Sequence, residues 1–251
     1  MSGLSLIDCC IPKGIGMAKF LNLFSLSLIF TCTFCYANEP TQVFLDGDKI
    51  HYQGGLAKEA NEMVFEIFKK NTSKIKWLAI KSVGGEVNLG LDLAEFINKN
   101  SLNVEVTEYC LSSCANYVFP AAHEKRITNH ALIGFHGGTS GMAAGVAEFI
   151  KTLPESEREA TQKHFDEYGE KTLAREADFF QKLGVNPNIT TLGQSDKYKK
   201  YEDAGSYVGW YYAISDLNKL GVKNISVLNP PWVFKQLSEK SQFYKVEVTG
   251  S

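Results

Sequence analysis

Trp77-Leu78-Ala79-Ile80-Lys81-Ser82-Val83-Gly84-Gly85, followed by a helical pattern from Val87 to Asn98, is the stretch that decides the fold. Four consecutive apolar residues without alternation read as a strand buried on both faces, the habit of parallel sheets covered by helices. The paired glycines stop that strand. Leu89, Leu91, Leu93, Ala94, Phe96 and Ile97 then recur as a buried helix face would require. Val104-Glu105-Val106 predicts the next strand, giving a strand, helix, parallel strand unit.

The same alternation extends outward from this unit. Upstream, Gln42 to Tyr52 predicts two short strands around Asp46-Gly47-Asp48, and Leu56 to Lys70 an amphipathic helix. Downstream, Ser112 to Phe119 predicts a helix start and Ala131 to Phe135 a strand, with Lys125-Arg126 as a basic turn between them. Thr139 to Lys182 is long, charged and helical, an insertion lying over the sheet. The aromatic patch Trp210-Tyr211-Tyr212 precedes a helix over Ser215 to Leu220, stopped by Gly221. Val222 to Val227 supplies a last strand, ended by Pro230-Pro231. The expected fold class is α/β: one domain over residues 38–251 with a mostly parallel sheet, flanking helices and a helical insertion.

The first 37 residues differ in kind. Lys13 and Lys19 precede the apolar run Phe20 to Phe34, which ends at Cys35-Tyr36-Ala37, the order of an export signal. Met17 begins a complete signal by itself. The alternative is an uncleaved anchor holding the chain to a membrane, although the run is shorter than the roughly 20 residues a spanning helix needs. A periplasmic or secreted location is therefore expected. The 26 Lys and Arg are scattered among 28 Asp and Glu for a net charge of −2, which offers no electrostatic footprint for nucleic acid. Of six cysteines, only Cys110 and Cys114 lie beyond the leader. They form either a disulfide suited to an oxidising compartment or two reduced thiols. A Cys pair with no second ligand pair nearby lacks the four donors of structural zinc, and neither metal nor cofactor is expected.

Three points carry chemistry, each where a strand end would present it. Gly84-Gly85 can turn backbone amides toward a carbonyl oxygen, as an oxyanion hole requires, or simply make a tight turn. Cys110-Leu111-Ser112-Ser113-Cys114-Ala115-Asn116 offers serines at a helix N-terminus, for reaction or for capping. His136 ends the apolar strand before Gly137-Gly138 and can take a proton from a neighbouring serine.

Taken in order, these points resemble the proteolytic subunit of Clp protease and its crotonase-fold relatives. Ile80 to Val87 is similar to that family's glycine-bearing strand end. Ser113 to Ala122 resembles its nucleophile helix, Ile133 to His136 its histidine strand, and Ser215 to Val222 its late helix. The likeness covers about residues 42–138 and 210–224, and is nearest to the exported Clp-like branch with a cysteine-flanked serine. It implies Ser113 as nucleophile with Ser112 as its rival, and His136 as general base. It also implies Gly84, Gly85 and Cys114 around the oxyanion, and a peptide or protein as substrate. Self-association is compatible with it, but the insertion has no counterpart in the chambered protease, so a stacked heptamer does not follow. Val83 stands where the family has proline. The third triad position falls near Gly209, where no carboxylate stands, and Asp196 and Asp203 do not line up. The leading expectation is an exported serine peptidase; the alternatives are an inactive Clp-like binding or assembly protein and an acyl-CoA enzyme of crotonase type.

Overall fold

In the computed structural model, which describes residues 40–249, the chain opens with the expected hairpin. Strands β1 (Gln42–Asp46) and β2 (Lys49–Gln53) pair antiparallel, and Gly47 takes the left-handed conformation, φ +59°, that their turn needs. The export signal expected over residues 1–37 lies outside the described residues. Within them, no helix is long and apolar enough to cross a membrane.

Helix α1 (Lys58–Lys70) buries Ala60, Val64 and Phe68 on one face. Strand β3 (Trp77–Ser82), helix α2 (Val87–Lys99) and strand β4 (Asn103–Leu111) follow. A π-helical turn over Cys114–Val118 leads into the short α3 (Phe119–Ala121). Strands β5 (Lys125–Thr128) and β6 (Leu132–Phe135) come next. The insertion is two helices, α4 (Ala143–Thr152) and the 29-residue α5 (Glu155–Leu183). The chain closes with α6 (Lys199–Asp203), β7 (Tyr207–Tyr212), α7 (Ile214–Lys219), β8 (Ile225–Leu228) and β9 (Gln242–Val246).

The strands form one sheet in the order β1-β2-β3-β4-β6-β7-β9, which branches at β4. The first half of β4 pairs β5, which in turn pairs β8; its last residues, Tyr109 to Leu111, pair β6. All pairings are parallel except β1 with β2 and β6 with β7. The mostly parallel α/β sheet with flanking helices and a helical insertion is therefore present. One hydrophobic cluster runs from Val43 in β1 to Val246 in β9.

Two local expectations are corrected. Lys125-Arg126 is not a turn but strand β5. Lys125 is buried and donates to the Ala122 carbonyl at 2.7 Å, while the Arg126 guanidinium lies over the Trp77 ring at 3.7 Å, so both charges are accommodated inside a strand. In the aromatic patch, Trp210 and Tyr212 are buried with their polar atoms satisfied inside: Trp210 Nε1 donates to Tyr212 Oη, which donates to the Ile189 carbonyl. The strand at Val227 is not the last, since β9 adds to the sheet edge beside β7.

Candidate active site

Ser112 stands at the junction of sheet and helix. Its amide donates to the Gly134 carbonyl at 2.9 Å, continuing the β4–β6 ladder, and its carbonyl accepts from the Asn116 amide at 2.8 Å, starting the helix. Joining the two puts Ser112 at φ +54°, a left-handed conformation that an L side chain seldom adopts and that clusters at functional sites. A serine on a tight strand-to-helix turn exposes its hydroxyl, which is the logic of a nucleophile elbow. Cys110 and Cys114 bracket the turn in disulfide geometry, with Cα atoms 5.2 Å apart.

That turn separates the two serines. His136 Nε2 lies 2.7 Å from Ser112 Oγ. Ser113, by contrast, is 2% exposed and donates from Oγ to the Gly85 carbonyl at 2.7 Å. The hydroxyl facing the imidazole is thus that of Ser112, the rival in the sequence reading, and Ser113 serves the glycine loop. The left-handed residue reverses the side-chain direction between neighbours, which spacing along the sequence does not reveal.

The glycine loop packs directly on this turn. Gly84 has φ +88°, and a Cβ there would stand 2.7 Å from Ser112 Cβ. Its amide donates to Ser82 Oγ at 3.1 Å and its carbonyl accepts from the Leu56 amide at 2.8 Å. Gly84 is therefore removed from the expected oxyanion donors; its role is to let two loops approach. Gly85 remains beside Ser113. The amides of Ser113 and Cys114 precede the first intrahelical bond, so they are free of helix acceptors and belong to the turn that follows Ser112.

His136 follows β6. Loss of solvent around the ring lowers its pKa from the ordinary imidazole value, partly offset by a hydrogen bond to its own backbone carbonyl. Among the described residues no carboxylate hydrogen-bonds the ring. Asp196 and Asp203 are exposed, and Gly209 occupies β7, where a side chain would strike the Phe135 carbonyl. No group of three or more His, Cys, Asp or Glu suited to a metal occurs among the described residues.

The insertion braces all three loops, a role the sequence reading missed. Glu176 of α5, 4% exposed, accepts from Tyr117 Oη at 2.6 Å on the serine helix and from the Thr139 amide at 3.3 Å after His136. Burial raises the Glu176 pKa against these hydrogen bonds; burial, then the Glu176 charge, raises that of Tyr117. Tyr168 donates to Glu86, the residue after Gly85, and Arg175 reaches Asp92 and Glu95 on α2. Asn116 Nδ2 donates to the Gly137 carbonyl at 2.7 Å, joining serine helix to histidine loop a second time. One glutamate among the many acids of a charged helix carries no sequence signal of such a role.

Ser112 and His136 line a cavity of about 330 Å³ whose other walls are largely apolar.

No protein-family model matches the chain. No curated protein matches it. Among solved structures, methylmalonyl-CoA decarboxylase complexed with 2S-carboxypropyl-CoA is similar at 7% identity and a TM-score of 0.29, over 37% of this chain. The matched part spans about half of that protein's length (48%).

Proposed function

We propose that this chain is an exported serine peptidase of the Clp protease type, with Ser112 as nucleophile and His136 as general base. The 2.7 Å contact between His136 Nε2 and Ser112 Oγ, at an apolar cavity, carries the reading. The order of glycine loop, serine turn and histidine strand, similar to the Clp protease family, supports it. Export draws on the signal-like residues 1–37 and on the cysteine pair flanking the serines, since disulfides persist in oxidising compartments.

In the reaction, His136 Nε2 takes the Ser112 proton as Oγ bonds to the peptide carbonyl carbon. The resulting oxyanion draws on the amides of Ser113 and Gly85. His136 then gives the proton to the leaving amine as the C–N bond breaks, leaving an acyl-enzyme. Water, deprotonated by His136, attacks that ester; the acid leaves and Ser112 regains its proton. A depressed histidine pKa keeps the ring neutral and ready to accept a proton at neutral pH.

A second reading keeps the fold without the chemistry, as an inactive Clp-like binding or assembly protein. The lack of a carboxylate at His136 among the described residues favours it. Labelling with a fluorophosphonate separates the two. The peptidase reading expects covalent modification of folded protein that disappears in His136→Gln; an unmodified wild type overturns it.

A further inference from the structure

A second cavity, of about 460 Å³, lies between the two helices of the insertion and shares Met142, Val146 and Phe165 with the wall of the Ser112 cavity. Phe165, Gly169 and Leu173 recur every fourth residue on α5 and line it with an apolar row, joined by Val146 and Ala147 of α4. Leu173 is 41% exposed, an apolar side chain left at the surface. Gln162, Asp166 and Glu170 form a polar row beside the apolar one, again four apart. No Lys or Arg lines the space. Asp166 accepts from Gln162 Nε2 at 2.7 Å, and among the described residues neither carboxylate belongs to an ion pair. An apolar row flanked by negative charge is complementary to an occupant that is both apolar and positive.

Two further observations point to an extended chain as that occupant. From Gln162 to Leu173 the lining follows α5 for roughly 16 Å, the reach of about five extended residues. Asp166 and Glu170 stand one turn apart, about 6 Å along the axis, close to the spacing of alternate side chains on one side of an extended strand, about 6.6 Å. Thr139 also lines the cavity and is 6% exposed, yet its Oγ1 has no hydrogen-bond partner among the described residues. A buried polar atom of this kind calls for a partner, and peptide N–H and C=O groups are able to supply one.

We propose that the groove between α4 and α5 holds a segment of the polypeptide substrate in which Lys or Arg alternates with apolar residues, at a distance along the chain from the bond that meets Ser112. Calling the polypeptide a substrate rests on the peptidase reading; the groove and its charge do not. Gly169 gives a direct handle on the site. It lies in α5, lines the groove, and a Cβ built there meets nothing within 4 Å. Gly169→Leu therefore fills the groove without displacing neighbours, and replacing glycine within a helix favours the helix. Asp166→Asn with Glu170→Gln removes the charge and keeps the shape.

The test measures fluorescence anisotropy of dye-labelled Leu-Lys-Leu-Lys-Leu and Leu-Glu-Leu-Glu-Leu peptides on the chain carrying Ser112→Ala, which cannot cleave them. The basic peptide is expected to bind about tenfold or more tighter than the acidic one. G169L is expected to weaken it about tenfold or more, and D166N with E170Q about fivefold or more. In a Ser112 background the D166N and E170Q pair leaves the fluorophosphonate labelling rate within about twofold. Equal affinity for the two peptides, or basic-peptide binding unchanged in both groove variants, overturns the inference. So does saturable binding of octylammonium to a groove that no peptide enters, which assigns the site to a small amphiphile instead. Peptide binding as expected on a chain whose Ser112 resists labelling upholds the groove for a basic polypeptide and removes the peptidase reading. Labelling without peptide binding does the reverse.

Discussion

Ser113 donates a hydrogen bond from its hydroxyl to the carbonyl of Gly85 at 2.7 Å, locking the glycine loop to the turn that carries Ser112. Two adjacent serines thus have opposite duties, one structural and one facing His136. Ser112→Ala is expected to lower turnover by about 10³-fold or more, leaving whatever the amides and binding supply. Ser113→Ala keeps its own amide and is expected to retain activity within about tenfold. It loses about 1 kcal/mol of stability for the missing hydrogen bond, read from denaturant unfolding.

The pH dependence follows from His136. Its folded pKa is depressed by burial, so the neutral, base-competent ring persists below the ordinary imidazole value of about 6.5. The acid limb of kcat/KM is expected below that pH. The stability sign agrees: the unfolded chain binds the proton first as pH falls below about 6.5, so this group erodes stability from there down through its folded pKa. His136→Gln removes both the activity limb and that share of the stability slope, measurable by pH-dependent unfolding.

Glu176 is expected to matter to the site without touching the reacting atoms. Glu176→Ala leaves Tyr117 Oη without its buried acceptor and is expected to cost about 2–3 kcal/mol, with a fall in the fluorophosphonate labelling rate. Glu176→Gln keeps an acceptor oxygen and restores most of both. The raised carboxyl pKa has the opposite sign to that of His136: its stability share is present below the unfolded value and is lost as pH rises through the folded one. The Gln variant is therefore expected to lose less stability than wild type between mildly acidic and neutral pH.

Cys110 and Cys114 close a loop around both serines. Counting thiols on denatured protein without reductant is expected to find Cys110 and Cys114 unreactive. Reduction is expected to cost about 2 kcal/mol, the magnitude for so short a loop, and to slow labelling of Ser112 by loosening its left-handed turn.

The sheet was legible where apolar runs met glycine. Trp77 to Gly85 and Ala131 to His136 read correctly because buried parallel strands need uniform apolarity and end where the chain must turn. β5 was hidden because Lys125 and Arg126 look like surface, and their partners, a carbonyl and an indole ring, are distant in sequence. β9 was hidden because a long segment past Pro230 and Pro231 separates it from the strand it joins. That the three site loops belong together came from the resemblance to the Clp protease family, since each alone reads equally as a turn, a cap or a structural histidine. The choice between Ser112 and Ser113 was not readable, since one left-handed residue decides it. Glu176 was invisible for a different reason: only packing distinguishes it from the exposed acids around it on α5.

Ser112, held in its turn and facing His136, is the proposed nucleophile. Mass-spectrometric mapping of the fluorophosphonate adduct on the folded wild-type chain tests it most directly. A single adduct on Ser112 is expected, present in Ser113→Ala and absent in Ser112→Ala. An adduct on Ser113, or none on either serine, would contradict it.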